Sequence, residues 1–168
     1  MPGSPINVRF PTFAVASLAV VLAFSGSAPA QQSGPFNSLA GGWNGGGAIA
    51  IGQNSSERIR CRANYQVGDS GTTVELQLRC ASDSYNFDLL GSVRSQSGAV
   101  VGRWRESTRG AVGTVTGSVK GDRVDVRVEG QTFSAVLSLV TRGDKQSISI
   151  QAPVGAQMSS ANITLRRG

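Results

Sequence analysis

From residue 40 to the end of the chain, apolar and polar residues alternate almost without a break. A period of two is the spacing of a β-strand with one buried face, and no stretch carries the period of an amphipathic helix. Turn signals interrupt the alternation roughly every 8 to 14 residues, among them Gly68-Asp69-Ser70-Gly71, Lys120-Gly121-Asp122 and Arg142-Gly143-Asp144-Lys145. Short alternating runs between regular turns predict an all-β sandwich or barrel. The runs place about ten strands, near 42–52, 57–67, 73–81, 84–94, 99–106, 111–119, 123–129, 132–141, 146–152 and 161–167. Short links pair each strand with the next. Closing this single antiparallel meander into a barrel of about 8–10 strands removes its two exposed edges.

The alternation also sets a register. In E-R-I-R-C-R-A-N-Y, residues 57–65, Ile59, Cys61, Ala63 and Tyr65 share one face, while Arg58, Arg60 and Arg62 share the other. On the next run Val74, Leu76, Leu78 and Cys80 form the apolar face. A pairing whose residue numbers sum to 141 brings Cys61 opposite Cys80, Ala63 opposite Leu78 and Tyr65 opposite Leu76. All the apolar partners then lie on one face, and the two cysteines meet across the strands, where they can bond. The same register sets Arg62 opposite Arg79, so Arg58, Arg60, Arg62 and Arg79 form an outward basic strip with Glu57 and Glu75 at its margins. Such a strip is either an anion-binding surface or the wet side of a sheet.

The first 30 residues read as a secretory signal peptide. A single charge, Arg9, precedes the apolar run Phe13–Phe24, and Ala28 and Ala30 stand as the small residues before a cleavage site. No later apolar segment is long enough to cross a bilayer as a helix, which takes about 20 residues. The expected product is soluble and periplasmic or secreted. It comprises an N-terminal tail with a short helical turn over 31–40 and a barrel domain over 41–168. Residues 31–35 are expected to be disordered and 153–160 to form a loop. An even cysteine count in an exported chain points to one disulfide, Cys61–Cys80; two buried free thiols are the alternative.

Composition removes several functions. With no histidine in the chain, a Ser-His-Asp triad, the commonest metal ligand and a histidine-held haem are all missing. Losing Arg9 takes one from 16 basic residues, against 10 acidic, for a net charge of about +5. Nucleic acid is not the expected partner, since export separates the chain from it and no aromatic residues interleave with the arginines. The glycine-rich run G-G-W-N-G-G-G lacks the Lys-Ser/Thr pair and following helix of a phosphate-cradling loop. Glycines there and around Trp104 fit the bulges and bends of a small barrel. Among the acids, Glu106 alone shares inward phase with Trp104, and a partner arginine, Arg105 or Arg109, lies close in sequence. No catalytic residue, metal site or cofactor is assigned, and the protein is expected not to be an enzyme.

F-N-S-L-A-G-G-W, residues 36–43, resembles the start of a lipocalin-type, or calycin, barrel, where a short helical turn leads to Gly-x-Trp on the first strand. That resemblance implies an arginine near the end of the last strand lying over the tryptophan. Arg167, in phase with Ile163 and Leu165, holds that place opposite Trp43. The stretches G-R-W-R-E-S-T-R-G-A-V-G (102–113) and C-A-S-D-S-Y-N-F-D-L (80–89) are similar to a group of uncharacterised exported proteins of Gram-negative bacteria. Periplasmic protease inhibitors are a second similar barrel group, through the Gly-x-Trp start and the ending Leu165-Arg166-Arg167.

The functional expectation is binding. In the first version a small apolar molecule sits in the barrel among Trp43, Tyr65, Phe87, Trp104 and Arg167, with Tyr85 and Phe133 also turned inward. In the second the strip Arg58, Arg60, Arg62 and Arg79 holds a macromolecule, either an anionic envelope component or a protein partner of an inhibitor-like barrel. Catalysis ranks third.

Overall fold

A computed structural model describes Gly3 and residues 33–52, 55–154 and 156–168; the expected signal peptide over 1–30 lies, Gly3 apart, outside the described residues. Ten strands follow a short 3-10 turn at Asn37–Leu39: β1 Gly41–Ile51, β2 Ser55–Gly68, β3 Thr73–Ala81, β4 Asn86–Gln96, β5 Ala99–Glu106, β6 Ala111–Lys120, β7 Arg123–Gly130, β8 Ser134–Arg142, β9 Lys145–Gln151 and β10 Met158–Arg167. Each strand pairs antiparallel with the next, and β1 also pairs with β10, which closes the barrel.

The register from β2 to β3 is the one that the alternation implies, with Cys61 opposite Cys80, Arg62 opposite Arg79 and Tyr65 opposite Leu76. Cys61 and Cys80 are joined as a disulfide. Across the seam Trp43 faces Arg167, and the register shifts once, between Ala50 and Ile51. Following the alternation round the barrel puts Ile59, Val74, Val100, Val115, Leu139, Ile163 and Leu165 inside, all buried. Apart from Arg167, which turns in over Trp43, the arginines of the strands face out. An apolar inside and a charged outside reverse the pattern of a membrane-spanning barrel, whose lipid-facing band is apolar. Among the described residues no helix is long and apolar enough to cross a membrane.

Three local expectations are corrected. Gly34 is not part of a disordered tail: its backbone N–H donates to the Ser70 carbonyl at 3.0 Å, next to Phe36, whose N–H donates to the Gly71 carbonyl at 3.0 Å; Phe36 and Leu39 are buried at 1% and 5% exposure. Residues 31 and 32 lie outside the described residues. The segment over 153–160 is not all loop, because β10 already begins at Met158, which is buried. Tyr85 and Phe133 stand just before β4 and β8, in the connecting loops rather than on the strands.

Candidate functional site

The two ends of the barrel differ. At the end where β1 starts and β10 finishes, the turn at 37–39 folds under the lumen and seals it. Trp43, fully buried, donates its indole N–H to the Leu39 carbonyl at 2.7 Å. The Arg167 guanidinium lies over the Trp43 ring, 4.4 Å from its centroid. It donates to the carbonyls of Ala40 and, at 2.7 Å, Ser38. The Tyr65 hydroxyl donates to Gln146 Oε1 at 2.9 Å, and Gln146 Nε2 donates to Thr141 Oγ1 at 3.2 Å. Burial pushes the Tyr65 hydroxyl well above the ordinary phenol range, with the Gln146 bond a smaller opposing effect. Trp43, Tyr65 and Arg167 therefore hold the seal, and their polar groups are engaged with one another's neighbours.

Phe87 and Trp104 lie away from the seal. Inward side chains on β3 and β4, including Leu76, Leu78 and Phe87, keep part of their surface accessible. So do Val124, Val126 and Leu137 on β7 and β8. These side chains pack against the buried core and form two partly accessible apolar strips, and Trp104 on β5 sits between them. Phe133 meets Trp104 at 88° with ring centroids 6.1 Å apart. Tyr85 and Phe87 make a similar edge contact.

Trp104 shares a row with Gly91, Gly113 and Gly130 on the adjoining strands. Its ring lies down over the last two. A Cβ on Gly113 would come within 2.6 Å of Trp104 Nε1, and one on Gly130 within 2.7 Å of Cζ2. The glycines here make room both for the indole and for close approach of the neighbouring backbone, at the Glu129 and Val112 carbonyls. On the opposite side Gly91 is open enough to take a methyl group at 3.7 Å from Leu76. Trp104 is 6% exposed, and its Nε1 is a buried donor with no partner among the described residues.

Glu106 does face inward and is buried at 8% exposure. Its carboxylate accepts the backbone N–H groups of Asp88 (3.1 Å), Thr108 (2.8 Å) and Arg109 (2.7 Å). Burial raises its pKa, but these hydrogen bonds together with that of the Thr108 side chain outweigh it and hold the group below the usual carboxylate range. Arg109 then stacks over Tyr85 at 4.5 Å and donates to the Asn86 carbonyl at 2.9 Å. Glu106 fastens the β5–β6 turn, and its oxygens are committed to that task.

On the outer wall Arg58, Arg60, Arg62 and Arg79 are exposed and aligned. Asp88, absent from the acids first placed near the strip, corrects its charge balance: it binds Arg79 at 2.8 Å. Arg58, Arg60 and Arg62 have no ion pair among the described residues. Asn44, Gly45, Arg60, Arg62, Arg79 and Ala81 border a shallow depression of about 600 Å3.

Solved structures share this architecture. The crystal structure of Rv2717c from M. tuberculosis matches with a TM-score of 0.61 at 19% identity, over 84% of this chain and 98% of that one. The S-type phycobiliprotein lyase CPES from Guillardia theta matches with a TM-score of 0.53 at 12% identity, over 79% and 90%. The fold is that of a calycin-like barrel. At these identities the likeness carries the fold and nothing further. No family model and no curated protein matches the sequence.

In this calycin-like barrel the sequence reading found both ends of the Trp43–Arg167 contact, and it missed the residues that complete the seal. Phe36 and Leu39 lie before the alternating region and belong to no periodic face. The hydrophobic residues flanking a short turn ahead of Gly41-Gly42-Trp43 were the available signal.

Proposed function

We propose that this protein is an exported, calycin-like binding protein that carries a small apolar molecule in its barrel. The observation that carries the reading is the pair of partly accessible apolar strips of inward phase, on β3–β4 and β7–β8, set away from the seal at the Trp43 end. A lumen meant solely as core buries its inward side chains; here Leu78, Phe87 and Leu137 stay partly accessible. Concave, mostly apolar surface with few polar groups is the usual form of a small-molecule site. The Cys61–Cys80 bond supports an oxidising compartment, periplasmic or extracellular. Similarity to exported Gram-negative proteins belongs to the same proposal. Catalysis is not part of it, since the one buried carboxylate, Glu106, is held by three backbone donors.

Native mass spectrometry of the protein recovered from its host tests this. An added mass that leaves on denaturation is the expected result, and cleavage after Ala30 would be read from the same spectrum. A protein that is bare, and that no uncharged apolar probe binds, counts against carriage. The second reading, an anion-binding outer wall, rests on Arg60 and Arg62, which border the depression beside Gly45 and, like Arg58, have no ion pair among the described residues.

A further inference from the structure

We infer that the lumen selects an uncharged apolar molecule bearing one hydrogen-bond acceptor, such as a ketone, ester or amide carbonyl, and that Trp104 Nε1 is the donor that selects it. The inference rests on the carriage reading and adds the chemical class of the cargo.

Three observations lead there. The first is the orphaned donor. Trp43 and Trp104 are the two tryptophans of the chain. Trp43 Nε1 is satisfied by Leu39, whereas Trp104 Nε1 is equally withdrawn from solvent and has no partner among the described residues. A buried N–H left unpaired costs about 1–3 kcal/mol, so a position that keeps one has a partner to gain. Indole nitrogen only donates, and what meets it must therefore accept.

The second is charge. Round the inner wall the alternation places no lysine and one arginine, Arg167, which is occupied at the sealed end by Trp43, Ala40 and Ser38. Glu106 and Glu57 are the acids of inward phase among the described residues: the oxygens of Glu106 are filled by N–H donors, and Glu57 accepts from the N–H and hydroxyl of Ser84. A carboxylate or phosphate in the lumen would find no unengaged cation, since Arg109 is held by Glu106 at 3.9 Å and by the Tyr85 ring, and an amine would find no free carboxylate. Burying an unpaired charge is far more costly than burying a carbonyl that gains a hydrogen bond. The cargo is therefore neutral.

The third is access. Trp104 lies between the two accessible strips, and the ring beside it, Phe133, comes from the β7–β8 loop and is itself partly exposed. Loop residues yield more readily than strand residues. Displacing Phe133 opens a path to Nε1 without breaking the sheet. The cargo's apolar body then rests against Phe87 and Leu89 while its oxygen meets the indole.

The test uses three matched probes: 2-acetylnaphthalene, 2-ethylnaphthalene and 2-naphthoate. They share a flat body and differ in carrying a neutral acceptor, no acceptor or a charged one. Binding is measured by calorimetry. It is also followed in the nitrogen–proton spectrum of labelled protein, where the two indole N–H groups give two signals. The expected result is a downfield move of the Trp104 signal with the ketone alone, and ketone binding about 2- to 12-fold tighter than the hydrocarbon. Trp104→Phe keeps an aromatic ring and deletes the N–H; it should erase that preference and leave ethylnaphthalene binding within about twofold. Should Trp104→Phe fold poorly, the Trp104 signal in the unmutated protein decides alone. Equal binding of ketone and hydrocarbon, a preference that survives in Trp104→Phe, or naphthoate binding as tightly as the ketone would each overturn the inference and leave carriage standing. If none of the three binds, carriage itself fails and the inference falls with it.

Discussion

Arg167 covers Trp43 from the far end of the chain: the two are register partners across the β1–β10 seam, and the guanidinium carbon sits 4.4 Å from the ring centroid. The same group ties down the Ala40 and Ser38 carbonyls. Arg167→Ala removes a cation–π contact and two charge-assisted hydrogen bonds, with an expected cost of about 2 kcal/mol. Arg167→Lys should recover less than half, because an ammonium can neither lie flat on the indole nor span both carbonyls. Urea midpoints of the three proteins check this.

The Cys61–Cys80 bond closes a loop across a sequence separation of 19. Restricting the unfolded chain over that length is worth about 3 kcal/mol. The double variant Cys61→Ala, Cys80→Ala should remain folded at 25 °C and lose that amount. Thiol titration of the denatured, unreduced protein should find no free thiol.

Gly91 and Gly113 sit on opposite sides of Trp104 in one row of the sheet and should respond oppositely to alanine. At Gly113 the new methyl meets the indole and the neighbouring backbone, and overpacking of this kind costs about 1–3 kcal/mol. At Gly91 its nearest neighbour is 3.7 Å away, so stability should hold or rise by about 0.5 kcal/mol through the stiffer unfolded chain. Thermal melts of both variants separate the two effects.

Glu106 gives the barrel an acid-sensitive turn. Its carboxyl is held below the ordinary range in the folded chain by hydrogen bonds that outweigh its burial. The stabilisation is present above the unfolded value, about 4.3, and is lost as pH falls through the lower folded value. Unfolding followed from pH 7 down to 2 should show that loss. Glu106→Gln should be less stable at neutral pH, by about 1–3 kcal/mol, and should show a flatter acid limb.

Arg60 and Arg62 test the outer wall independently of the lumen. Both are exposed and unpaired among the described residues, so reversing them to glutamate should change stability by no more than about 0.5 kcal/mol. Retention on an anionic matrix should drop, and the drop should shrink as salt rises. Lumenal probe binding should be unaffected.

Much of this architecture is legible in the sequence. Where one face of a strand is buried, a slip of one residue turns every side chain over, so Cys61, Ala63 and Tyr65 had a single self-consistent partner set in Cys80, Leu78 and Leu76. The Trp43–Arg167 contact was implied by the resemblance of the two chain ends to a calycin barrel, with phase turning Arg167 inward. What escaped lies outside periodicity. Phe36 and Leu39 act from a three-residue turn too short to show a period. Asp88 reaches Arg79 from the next strand, a relation that needed the β3–β4 register as well as the β2–β3 one. Tyr85 and Phe133 follow the phase of their strands yet belong to loops. The unpartnered indole nitrogen of Trp104 was beyond reach, since a missing hydrogen bond leaves no mark on a sequence.

The seam between β1 and β10 also orders events in time. Its clamp joins residues 129 apart, Arg167 and Ser38, and every other strand pair can form from neighbours in sequence. While the chain is threaded vectorially from its N-terminus, β1 has β2 alone as a partner and its other edge stays unmatched until β10 emerges. Closure therefore comes last in that order, and the interval before it is when the chain depends most on whatever shields an unpaired strand edge from aggregation.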